Sequence, residues 1–246
     1  MLDETAINSR LRQMNVEADP EIIWDETCEG SARALVLFVG PSPGGEKPVE
    51  RRPMNKNCVH ALWNKSFDKP FADPSSWWSA GFRVSWKPLV EAIFTAPYDI
   101  AGKLIGRANM DWVGNPESED VATQYMIEGA PSVLKMIEDC SPELVLPMDA
   151  KTFDVLKTVL NDGFSITDCN ANNFTIRISD AAEKRFHRHL YAVRAESPTG
   201  RSFLVLKLPQ HPARILQRDY ARRCGEAVRE AARQISAGQP VAVTMV

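Results

Sequence analysis

Apolar residues in this chain fall into two patterns, short unbroken runs and stripes with helical spacing. Ala34 to Val39 is an unbroken apolar run stopped by Gly40-Pro41, as expected of a central strand covered on both faces. Glu143 to Met148 and Arg201 to Leu208 are runs of the same kind. Ser165 to Thr167, Thr175 to Ile178 and Tyr191 to Val193 predict shorter strands. Ala108 to Val113, closed by Gly114-Asn115-Pro116, predicts another. Ile7, Leu11 and Met14 recur at helical spacing, so an amphipathic helix opens the chain. Cys58 to Phe67 and Trp86 to Thr95 predict two more, the second through Leu89, Val90, Ile93 and Phe94. Val121 to Asp139 reads as a helix broken at Pro131. Asp149 is placed to N-cap a helix carrying Phe153, Leu156 and Leu160. A terminal helix takes Pro212 in its first turn. Its apolar stripe is Leu216, Tyr220, Cys224, Val228, Ala231 and Ile235, opposite Arg218, Arg222 and Arg229. Strands alternating with helices predict an α/β fold, a central mainly parallel sheet flanked by helices on both faces. Residues 34–39, 144–148 and 203–208 should be neighbours or near neighbours in it.

At 246 residues and 44% hydrophobic, the chain can bury a sizeable core as one domain over 1–246, with 1–30 as an N-terminal helical extension. The net charge of −3 does not by itself point to nucleic acid, but its distribution is uneven. From Arg177 to Arg223 eleven Lys and Arg stand against four Asp and Glu, while the first thirty residues carry eight acids and two arginines. Such asymmetry can build a local basic face on an acidic protein. The five cysteines are scattered, with no C-x-x-C spacing, which argues against a disulfide framework, a zinc site or an iron–sulfur cluster. No metal or cofactor is implied. The start, Met-Leu-Asp-Glu, has no basic or apolar leader region, and no stretch approaches membrane-spanning length. The expectation is a soluble, cytoplasmic protein with no membrane partner.

Two unusual loops follow predicted strands, Gly40-Pro41-Ser42-Pro43-Gly44-Gly45 and Gln210-His211-Pro212. In an open parallel sheet ligands bind just outside the carboxyl ends of the strands, so both loops should face one site. The first matches G-x-S-x-G, the nucleophile elbow of α/β hydrolases, and Asp168 and His211 follow in the matching chain order. Pro43 excludes that chemistry. The elbow uses the backbone N–H after the nucleophile, which proline lacks, and Pro43 pushes Ser42 toward extended geometry. Neither a G-K-[S/T] nor a G-x-G-x-x-G pattern is present. Gly44 and Gly45 could still offer N–H groups to an anion or a base edge.

Taken together, four landmarks resemble the uracil-DNA glycosylase superfamily, especially its small-sequence branches. Gly40-Pro41-Ser42-Pro43-Gly44 stands where that family has loops such as G-E-A-P-G or G-Q-D-P-Y, and His211-Pro212-Ala213 where it has H-P-S. Ile105 to Trp112, with Asn109 inside it and Asn115-Pro116 after it, is similar to the strand that ends near an asparagine. Pro142 to Ala150 is similar to the phrase P-x-V-I-V-x-L-G-x-x-A. The resemblance covers roughly residues 34 to 220. It implies a single uracil-DNA glycosylase-like domain and a partner in single- or double-stranded DNA. The implied activity is hydrolysis of the N-glycosidic bond of uracil or another deaminated or altered base.

That bond breaks with cationic character on the sugar and negative charge on the departing base. By resemblance, His211 would donate to the base oxygen or the nearby phosphate, and Asn109 would read the Watson–Crick edge. Gly40, Pro41, Pro43, Gly44, Met54, Pro212 and Arg214 would line the substrate site. The chain departs from the family in supplying Ser42 and Pro41 where other branches have Asp, Asn or Glu. Pro53-Met54 stands for Pro-Phe, so the aromatic platform is a methionine. Glu46 or Asp111 are candidates for the missing carboxylate. A catalytically silent member binding nucleic acid, a nucleotide or a free base fits the same residues. Singly, the landmarks also have plain roles: His211 as a helix cap, Asn109 as a turn partner, Trp77-Trp78 as packing, Arg51-Arg52 as solvated charge.

Overall fold

The computed structural model describes residues 21–23, 29–31, 34–41, 82–110, 121–177, 186–187 and 189–245. Three short strands come first, β1 (Glu21–Ile23), β2 (Glu29–Ser31) and β3 (Val36–Gly40). A π-turn, Phe82–Trp86, leads into α1 (Lys87–Phe94), then α2 (Tyr98–Ala101) and β4 (Ile105–Asn109). There follow α3 (Thr123–Cys140), β5 (Leu144–Pro147), α4 (Ala150–Leu160), β6 (Ser165–Asp168), β7 (Phe174–Arg177) and β8 (Phe186–His187). The last elements are β9 (Ala192–Glu196), β10 (Ser202–Leu206), α5 (Arg218–Ser236) and β11 (Val243–Met245).

Eight strands form one sheet in the order β1-β2-β4-β3-β5-β10-β9-β6, and β11-β7-β8 form a second, small one. The four central strands, β4-β3-β5-β10, are parallel, and the three long runs expected to be neighbours are consecutive in it. The margins are antiparallel. A parallel pair needs a long crossover, and β9 and β10 are joined by a tight turn instead. There Gly200, at φ 81, donates to Ser197 O at 2.9 Å. Only an antiparallel hairpin can follow such a turn.

Alternate residues of the central strands go to opposite faces. Val36, Phe38, Leu144, Leu146, Leu204 and Leu206 pack with α1 and α5. Leu37, Val39, Val145, Phe203 and Val205 pack with α3 and α4 on the other side. The sheet is thus covered by helices on both faces, which is why these strands read as unbroken apolar runs. On the first face Gly225 of α5 lies against α1. A Cβ there would come within 2.4 Å of Leu89 O and 2.7 Å of the Ala92 Cβ.

Several sequence expectations need correction. The strand near Asn109 is Ile105–Asn109 and not 108–113, of which 111–113 lie outside the described residues. Helix α3 runs through Pro131 unbroken. Pro131 is on the exposed side, where water can take the freed carbonyl of Ile127, itself 47% exposed. Pro212 opens a separate 3-10 turn, Pro212–Arg214, and the terminal helix begins only at Arg218, so Leu216 is off the buried stripe. In place of a helical extension over 1–30, Glu21–Ile23 forms the edge strand of the sheet and Glu29–Ser31 the strand beside it. The helix expected at Ile7, Leu11 and Met14, and the one at 58–67, lie outside the described residues.

The α1–α5 contact gives a stability prediction. Gly225→Ala should destabilise the fold by about 1–3 kcal/mol through overpacking, read by urea unfolding. Gly163→Ala, where nothing lies within 4 Å of an added Cβ, should cost little. Equal losses would contradict the close helix approach.

Candidate functional site

The chain leaves β3 toward β4 on one side and leaves β5 toward β10 on the other. The order of the parallel strands therefore reverses between β3 and β5, and it is outside the carboxyl ends at such a reversal that open α/β sheets bind ligands. Hydrogen bonds carry the pairing one step past the strands, to the rim itself. Met110 N donates to Gly40 O, Met148 N to Val39 O and Leu208 N to Pro147 O, each at 2.9 Å. The residues that follow the four strands are thus held side by side.

Gly40 pairs in register with Asn109. An added Cβ on Gly40 would stand 2.7 Å from Asn109 Oδ1 and 3.8 Å from Met148 Sδ. The glycine is required here because the Asn109 amide occupies the space of its side chain. Asn109 is 5% exposed and, among the described residues, one of three buried polar side chains, with Ser85 and Thr152. Strand parity places Gly40, Arg107, Asn109 and Met148 on the face that α1 and α5 cover. On that face the π-turn Phe82–Trp86 meets the Pro212–Arg214 turn. Trp86 packs on Phe38, with ring centroids 4.7 Å apart.

His211 is half-buried and begins the turn that follows β10, with Arg214 N donating to His211 O at 2.9 Å. Its imidazole is held below its ordinary value of 6.5, chiefly by burial. The Asp149 charge opposes that shift, while the Arg107 and Arg214 charges add to it. Lys207, one residue past β10, is also lowered by burial against the pull of Asp149 and Asp154. Its ammonium lies 5.7 Å from the Tyr191 ring centroid and donates to Leu208 O at 3.1 Å.

Of the residues assigned from sequence, Gly40 and Asn109 are register partners, Pro41 follows β3, and His211, Pro212 and Arg214 follow β10 on the same carboxyl edge of the sheet. Ser42, Pro43, Gly44 and Met54 lie outside the described residues, as do Glu46, Asp111, Arg51, Arg52 and the Trp77-Trp78 pair. The structure adds Arg107, Asp149 and Lys207 to the rim. Asp149 and Lys207 carried a sequence signal, since each ends or interrupts an apolar strand run where a fold of this class binds ligands. It also brings out Leu216, 85% exposed between the Pro212–Arg214 turn and α5. Among the described residues no group of three or more His, Cys, Asp or Glu side chains is placed to hold a metal ion, and no helix is long and apolar enough to cross a membrane. No protein-family model matches the chain and no curated protein matches its sequence.

Two outcomes follow from this geometry. Gly40→Ala should cost about 1–3 kcal/mol, most of which should vanish in an Asn109→Ala background, because the clash is with that side chain. Additive losses in urea unfolding would place the Asn109 amide elsewhere. For pH the sign is set by His211. As pH falls through 6.5 the unfolded chain takes up a proton that folded His211 still refuses, so the unfolded state gains. Stability should therefore fall as the pH drops below about 6.5, and His211→Gln should remove that share of the slope. An unchanged slope in the variant would contradict the burial of the imidazole.

Proposed function

We propose that this chain is a uracil-DNA glycosylase-like protein that excises uracil or another deaminated or altered base from DNA. The observation that carries this is the rim itself. A buried amide, Asn109, set beside a glycine, shares the carboxyl edge of one parallel sheet with a half-buried histidine, His211. An amide can read the donor and acceptor pattern of a base edge. An imidazole can donate to the oxygen on which negative charge develops as the C1′–N bond breaks and its electron pair stays with the base. Met148, Trp86 and Phe38 form buried apolar and aromatic packing on the same face, which backs the Asn109 amide.

The surroundings support a nucleic-acid substrate. A target base in a duplex must be extruded before its glycosidic bond can be reached, and proteins that unstack DNA insert apolar wedges between base steps. Leu216 is such a residue in position and exposure, and Arg214 and Arg218 flank it, exposed and suited to phosphates. The basic stretch from Arg177 to Arg223 contains this whole segment. The mechanism uses no first-loop carboxylate. The His211 donor stabilises the leaving base and Asn109 selects it, while a water adds its oxygen to C1′ and its proton ends on the departing base.

The test is incubation of the pure full chain with labelled single- and double-stranded oligonucleotides carrying uracil, hypoxanthine or xanthine, followed by alkaline cleavage at abasic sites. Excision of at least one base is expected, with binding that weakens steeply with salt. His211→Ala should lower the rate by about 10²–10³. Leu216→Ala should lower it about tenfold on duplex, where unstacking costs a few kcal/mol, and little on single strands. Salt-sensitive binding with no excision of any base would leave a silent binding protein and overturn the enzymatic assignment.

A further inference from the structure

The carboxyl edge of the sheet continues past β10 to β9, and an aromatic side chain stands open to water there. Tyr191 immediately precedes β9, whose first residue, Ala192, pairs with Leu206 at the end of β10. Lys207 N donates to Tyr191 O at 2.9 Å, which carries the rim one strand beyond the segment leading to His211. With neighbouring strands about 4.8 Å apart, Tyr191 stands roughly 15 Å from Gly40, across β5 and β10. Tyr191 is 46% exposed although its ring is held from two directions. The Lys207 ammonium lies over the ring, 5.7 Å from its centroid, and is itself fixed by donating to Leu208 O at 3.1 Å. The Phe153 ring of α4 packs against Tyr191, with centroids 6.3 Å apart and planes inclined at 56°.

A ring already held in one orientation loses little conformational freedom when a partner stacks on it. Strand parity puts Tyr191 and Lys207 on the face that α4 covers and Asn109 on the opposite one, so a ligand reaching both must cross the sheet edge. Asp149 and Asp154, whose charges act on Lys207, offset its ammonium. The patch therefore offers a ring face to a base and not a clamp to a phosphate. We propose that Tyr191 is a stacking platform for an unpaired base a few nucleotides from the one held at Asn109 and His211, which makes single-stranded DNA the preferred substrate. The proposal rests on the base-excision reading above for what Asn109 and His211 hold. Every base has a π-face, so this contact adds affinity without reading sequence. In a duplex the same base is paired and stacked on its neighbours, and its face is closed to Tyr191.

The test compares binding of the full chain to oligothymidylate and to a uracil-free duplex by fluorescence anisotropy. Neither probe carries a deaminated base, so affinity is read without turnover. Tyr191→Ala should weaken single-strand binding about tenfold and leave duplex binding unchanged, while Tyr191→Phe and Tyr191→Trp should keep both. The unchanged duplex affinity separates a lost contact from a damaged fold. A second readout needs no variant: the Tyr191 ring protons of the parent should shift upfield in nuclear magnetic resonance spectra as oligothymidylate is added. Equal single-strand affinity in parent and Tyr191→Ala, or ring signals that stay fixed on saturation, overturns the platform and leaves base excision standing. Single-strand binding that depends on Tyr191 in a chain that excises no base upholds the platform and overturns the enzymatic reading. A parent that binds no oligonucleotide overturns both.

Discussion

Burial of the central strands on both faces is the constraint from which the rest of the molecule follows. Val36, Leu37, Phe38 and Val39 are all fully buried, and successive residues enter opposite cores. A slip of one residue would exchange the two cores, so the register of β3 against β4 and β5 is tightly fixed. With the register fixed, the first residues beyond the strands have no choice of neighbour. Gly40 must face Asn109, and Met148-Asp149 must stand between Gly40 and the segment that carries His211. The site is a consequence of packing deeper in the molecule.

Chemistry at this rim is governed by removal from water. Burial lowers both His211 and Lys207, and the charges around them then decide how far. The same effect renders other nucleophiles inert. The Cys224 thiol, buried in α5 beside Tyr220, is pushed up to about 12 by desolvation, so it stays protonated and serves as packing. At the sheet edge partial exposure and opposed charges leave the His211 imidazole able to change state.

Much of this was legible from the amino-acid order, and the limits have physical causes. The apolar runs at 34–39, 144–148 and 203–208, the last interrupted only at Lys207, reported strands covered on both sides, since full burial dispenses with polar alternation. The N-cap at Asp149 was legible because capping is local. The antiparallel margins were not read, although Ser197-Pro198-Thr199-Gly200 is a turn sequence, because strand direction depends on which partner a strand finds. Pro131 was expected to break α3, but a missing hydrogen bond on a solvated helix face costs less than the packing of the opposite face returns. Leu216 fitted the helical spacing of the stripe that continues through Tyr220, and periodicity cannot show that the helix starts two residues later.

The account depends most on Asn109 and His211 serving one ligand from two strands. The direct measurement is a titration of the full chain with free uracil, and separately hypoxanthine, following the side-chain amide of Asn109 and the ring of His211 by nuclear magnetic resonance. Both sets of signals should move together and fit a single dissociation constant for at least one base, and Gly40→Ala should weaken that constant. Signals that move separately, or that stay fixed while DNA still binds, would contradict a shared pocket at the carboxyl edge of the sheet.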